Sequence, residues 1–138
     1  MRFITVALFL FVLVIGAGCT DINQRPLERL FASIERNVTS KQRPEIQKLS
    51  GQERGITFFR DSSRDAYHTV EGFLAGNPTL TTRVLEQVKD YRDAEYAAWQ
   101  HHDVVVRNGI FNLSADELAE GVELSEAAAL KMMAIGSQ

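Results

Sequence analysis

The stretch from Leu80 to Val105 constrains the fold more than any other, because it repeats apolar residues at helical spacing over a longer run than a strand can sustain. At about 100° per residue, Leu80, Val84, Val88, Tyr91, Ala98, Trp99 and Val105 fall on one broad face of a single helix. Thr81 or Thr82 opens that helix, and Gly109 after Asn108 offers the left-handed stop, with Ile110 folding back on the last turn. A helix with one apolar face must bury it against other elements.

The rest of the chain supplies more helices and no pair of strands. Pro26 suits a first helical position, and Leu27, Leu30, Phe31, Ile34 and Val38 follow on one face. Pro44 opens a weaker segment carrying Ile46 and Leu49, closed by Ser50 and Gly51. The run "GQERGITFFR" reads as helix or loop, because no second strand exists for it to pair with. Ser62 or Ser63 can cap a helix carrying Ala66, Tyr67, Val70, Phe73 and Leu74, which ends at Gly76-Asn77-Pro78. Ser114 and Glu117 form a capping box, Gly121 weakens the helix that they open, and Ser125 can start a last helix through Leu130, Met132 and Met133. The expected fold class is all-α: a small antiparallel bundle of four or five helices built as a single domain from residues 26–138.

Two polar residues interrupt the long apolar face. Glu95 and His102 stand where leucine would be expected, and burying them costs free energy unless they are paired, hydrogen-bonded or metal-bound. Two turns of helix, about 10 Å, separate them. One reading has His102 bonded to a backbone carbonyl and Glu95 to an arginine or a partner surface. The other brings in His101 and Asp103, or Asp65, His68 and Glu71, as further ligands for a metal whose identity stays unknown. Trp99, Tyr91 and Tyr96 could form a partner-binding patch, although aromatic residues at helical spacing are more often core. Tyr96 sits at the edge of the face and is the one expected to be exposed. The candidate ligand or partner site is therefore Glu95, His102, His101, Trp99 and Tyr96.

Before these helices lies a different kind of segment. Arg2 precedes the apolar run Phe3 to Ile15, broken only by Thr5, and three small residues then lead to Cys19, the only cysteine in the chain. The run is short for a spanning helix, which needs about 20 apolar residues. It has the layout of a signal peptide. Ala17-Gly18-Cys19, with Gly16 in place of the usual leucine, resembles a bacterial lipoprotein signal. That resemblance covers about the first 21 residues. It implies cleavage after residue 18, acylation (palmitate included) of Cys19, a tether over residues 19–25, and attachment to a membrane through lipid. Thr20, where an aspartate usually means retention at the inner membrane, points to the outer membrane, facing the periplasm. Each buried methylene contributes about 0.8 kcal/mol, so several chains on one cysteine hold firmly where one would not.

The 120 residues left after residue 18 contain no second cysteine, so the domain must be held by its core alone. Residues 20–64 carry nine basic and six acidic side chains, against five and twelve in residues 65–138. An acidic exported chain lacks the footprint of a nucleic-acid binder. The acidic stretch Asp116, Glu117, Glu120, Glu123 and Glu126 could meet a basic partner, although three of these suit first helical turns.

Nucleophile elbows, phosphate-cradling glycine loops and His-Glu-x-x-His pairs do not occur, and no cofactor motif is present. The expectation is therefore not an enzyme but a lipid-anchored envelope protein that binds another envelope protein, of inhibitor, immunity, exclusion or assembly-accessory type. The alternative is a bundle that binds a metal or small ligand through His102 and Glu95; a cell-wall-active enzyme ranks third. Cys19→Ser is expected to leave the precursor uncleaved and without incorporated palmitate, seen as a slower band and loss of label. Normal cleavage of that variant would mark a plain secretory signal.

Overall fold

A computed structural model describes residues 22–39, 51–109 and 112–137. These form four α-helices and no strand: α1 (Gln24–Thr39), α2 (Gly51–Ala75), α3 (Thr82–Asn108) and α4 (Ala115–Ala134). The lipoprotein signal, the tether up to Asp21 and the expected segment after Pro44 lie outside the described residues.

Side-chain ties at the helix ends fix the topology. Asn23, just before α1, accepts from the Thr81 backbone N–H at 2.9 Å and donates to its hydroxyl at 3.3 Å, so α1 and α3 start side by side. Gln87, early in α3, accepts from Gly136 N–H at 2.9 Å and donates to the Ser137 carbonyl at 3.2 Å, bringing the end of α4 to the same place. The helices therefore run up, down, up, down.

α3 has α2 along one side and α4 along another, while α1 packs mainly on α2. The main core lies at the end where α1 begins. Leu27, Leu30, Phe31 and Ile34 of α1 close on Ala66 and Val70 of α2, on Val84, Val88 and Tyr91 of α3, and on Ile135 just past α4. Phe73, Leu74, Leu80 and Met132 pack around this cluster. At 1.5 Å per residue α1 is about 24 Å long and α3 about 40 Å. Beginning level with α3, α1 stops short of the far end, where α3 meets only α2 and α4 among the described residues.

Several boundaries differ from the sequence expectation, each for a local reason. α1 begins at Gln24, so Pro26 occupies the third helical position; its missing N–H is one of those that a first turn leaves unbonded anyway. Ser62 and Ser63 do not cap a helix: α2 runs unbroken from Gly51 through both of them. Ile56, Phe59, Ser63, Ala66, Val70 and Phe73 keep a regular three-and-four spacing, so Ser63 is a seam position. Ser125 does not start a helix either, because α4 continues through Gly121 and Ser125 to Ala134. The capping box is present, with Ser114 Oγ accepting from Glu117 N–H at 3.1 Å and Glu117 Oε2 from Ser114 N–H at 2.9 Å. Gly109 stops α3 as expected and with a positive φ of 86°, but its ψ of 137° is not left-handed helical, and Ile110 lies outside the described residues.

Candidate functional site

The structure distributes the five candidate side chains over three neighbouring environments. Glu95 turns toward α2, where buried Ser63 donates to its carboxylate. Among the described residues no arginine pairs with it. Burial lifts the Glu95 carboxyl to about 8, against that hydrogen bond, which acts in the lowering direction. Tyr91, one turn earlier and 2% exposed, has its phenol pushed well above the ordinary value by burial and then by Glu95.

His102, two turns along the same face, reaches α4 as well as α2. Its Nε2 lies 2.9 Å from Ser125 Oγ of α4, and its ring stacks on Phe59 of α2 with centroids 5.8 Å apart and planes 21° apart. The expected backbone carbonyl belongs instead to His101, whose Nε2 donates to the Glu117 carbonyl at 2.8 Å. His101 Nδ1 then carries the lone pair, and its 3.9 Å approach to Glu120 becomes an ion pair only when the ring takes a second proton. Burial, with His101 adding to it, lowers His102 to about 4. The Ser125–His102 spacing is that of a nucleophile and its base. Held neutral by burial, His102 joins α3 to α4 through the Ser125 hydroxyl.

Gly121 makes this contact possible. A Cβ built there would lie 3.0 Å from His102 Cε1 and 3.2 Å from His101 Cδ2, so a larger residue would have to press on two adjacent imidazoles. By local propensity Gly121 is a weak point of the helix; in the fold it is a contact surface.

The third environment is an aromatic cluster on the outer side of α2 and α3. Tyr67 lies 5.1 Å from Tyr96 and 5.7 Å from Trp99 between ring centroids, and His68 lies 5.2 Å from Tyr67 and 5.4 Å from Trp99. Tyr96 meets Trp99 edge-on at 5.8 Å. Tyr96 is 45% exposed, as its place at the edge of the face implied, and His68 is also exposed, while Tyr67 and Trp99 are half-buried. Arg92 links α3 to Glu71 of α2 at 3.2 Å just beside the cluster.

The possible extra metal ligands go elsewhere. Asp65 pairs with Arg64 at 3.1 Å, Glu71 with Arg92, and Asp103 with Arg107 at 2.8 Å, while His68 joins the aromatic rings. Among the described residues no group of three or more His, Cys, Asp or Glu side chains is placed to hold a metal ion. Sequence reasoning missed Ser63, Ser125 and Phe59 as the partners of Glu95 and His102. For Ser63 a signal existed, since it interrupts the apolar spacing of α2.

No family model matches the chain, and neither a curated protein nor a solved structure matches it.

Glu95 and His102 give stability opposite dependences on pH. The folded state keeps a proton on Glu95 that the unfolded chain releases near 4.5, so its contribution is complete below that pH and is lost as the pH rises toward 8. His102 is held neutral, so its contribution is complete above 6.5 and is lost as the pH falls toward 4. Of the two, only Glu95 still titrates between 6.5 and 8. In urea melts Glu95→Gln is expected to flatten the decline in stability over that interval; an unchanged slope would show that the decline has another source. Gly121→Ala, which on an open helix surface would gain about 1 kcal/mol, is expected to lose about 1 kcal/mol instead by crowding two pinned rings. A raised urea midpoint for that variant would mean that the imidazoles swing aside.

Proposed function

We propose that the chain is a lipid-anchored envelope protein, acylated on Cys19 and held at the outer membrane facing the periplasm, that works by binding another envelope protein. The lipobox-like Ala17-Gly18-Cys19 supports the anchoring. Among the described residues no helix is long and apolar enough to cross a membrane. The observation that carries the binding role is the cluster of Tyr67, His68, Tyr96 and Trp99, four rings in mutual contact at the surface of α2 and α3.

Tyrosine and tryptophan dominate interface hot spots because each offers a large, rigid contact area at little entropic cost. Here the rings are braced against one another, so most of the ordering a partner would impose is already in place. An inhibitor, immunity, exclusion or assembly-accessory role would use such a surface.

The test is a crosslinked pull-down of the tagged, lipidated full chain from its own envelope, with Tyr96→Ala beside it. One dominant envelope protein is expected with the native chain, and its yield should fall at least about tenfold with Tyr96→Ala, the loss a hot-spot truncation causes. Tyr96 is exposed, so its truncation leaves the core intact. Full recovery of the partner by the variant, or capture of no protein by the native chain, would overturn the proposal.

A further inference from the structure

The face of α4 that points away from the bundle is unusual for a helix of this length. Its fully buried residues are both small, Gly121 and Ala128, so α4 is held to α3 through a narrow seam. Three of its larger aliphatic side chains are outside: Leu118 and Val122 are each 45% exposed and Leu130 is 63% exposed. Leu118, Val122 and Ala129 fall on one stripe of the helix, with Leu130 beside it. An amphipathic helix ordinarily turns such residues inward. Here, among the described residues, no other element covers the apolar stripe.

A row of carboxylates borders that stripe. Asp116, Glu120 and Glu123, at four- and three-residue steps, share one flank, and Glu126 lies within the apolar face. Against the five carboxylates of α4 stands a single cation, Lys131. Glu117 is engaged in the capping box, and Glu120 approaches only His101. Among the described residues, no arginine or lysine pairs with Asp116, Glu123 or Glu126.

We propose that α4 is one half of a helix–helix interface, whose other half is a cationic amphipathic helix of a partner protein. The proposal rests on the reading of the chain as a protein binder and adds to it a second surface and the chemistry of what that surface receives. The apolar stripe calls for leucine- or isoleucine-type side chains at three-and-four spacing, and the acidic flank for lysine or arginine beside them. Charge decides among the possible occupants. A second copy of this chain would set one carboxylate row against another, and an anionic lipid surface would be repelled by the same row. A basic helix alone gains from both the stripe and the flank.

The test places a photoreactive amino acid at Val122 of the full chain in its own envelope, with matched positions at Tyr96 and at exposed Gln100 of α3. Illumination is expected to give an adduct from Val122 and none from Gln100, and mass spectrometry should map the Val122 adduct to a partner segment of net positive charge with apolar residues at helical spacing. Glu120→Lys with Glu123→Lys should cut its yield at least about tenfold, with the milder Glu120→Gln intermediate. Both positions are exposed, and an unchanged thermal melt confirms the fold. An adduct with a second copy, with lipid or with a non-basic segment, an unchanged yield after charge reversal, or no adduct at Val122 would overturn the proposal. A protein adduct from Tyr96 with none from Val122 defeats this inference and leaves the binding role standing; no adduct from either position defeats both.

Discussion

Two serine hydroxyls set how the outer helices sit on α3. Glu95 and His102 are the polar interruptions of its apolar face, and each is met by a serine from a different neighbour: Ser63 of α2 and Ser125 of α4. Packing of smooth apolar faces tolerates slippage by a turn, because one methyl group resembles another. A buried carboxyl or imidazole does not, since a slipped register leaves it without a partner at a cost of several kcal/mol. The two ties thus supply positional discrimination, while Leu30, Val70, Val88 and Ile135, all essentially inaccessible to solvent, supply the cohesion.

The chemistry of those ties keeps the interior uncharged. Burial favours the protonated form of Glu95 and the neutral form of His102, so both seams hold uncharged groups rather than ions. That neutrality narrows what the central face can do. A carboxyl and an imidazole two turns apart on one face of α3, bonded to hydroxyls of two different helices, hold α2 and α4 in place. The groups with room to meet another molecule lie elsewhere, on the outer rings of α2 and α3 and along α4.

Much of this is legible in the residues. The periodicity of Leu80 to Val105 locates α3 to within a residue, the Ser114 and Glu117 pair locates the start of α4, and Tyr96 stands out as the exposed aromatic. The polar residues of greatest interest, Glu95 and His102, are also identifiable, because polarity on an apolar stripe is visible in one dimension. Their partners are not. Which serine meets which residue depends on how helices distant in sequence align, and Ser125 is 23 positions from His102. Short hydroxyl side chains favour caps, so Ser62, Ser63 and Ser125 read locally as helix starts. Tertiary contacts recruit Ser63 and Ser125 across the interfaces, and the helices continue through them. Gly121 misleads in the same way, since local propensity reports its cost to the helix and is silent about the rings packed against it.

Among the described residues the densest apolar packing gathers at one end of the bundle. Where the chain enters, at Asn23, four helices converge on the apolar cluster and side-chain clasps lock the start of α3 and the end of α4. At the opposite end, among the described residues, three helices meet around His102, Phe59 and a glycine. Amide protons around Val70 and Val88, inside the four-helix cluster, exchange only when the whole domain unfolds. The fold thus keeps a firm base where α1 and α3 begin.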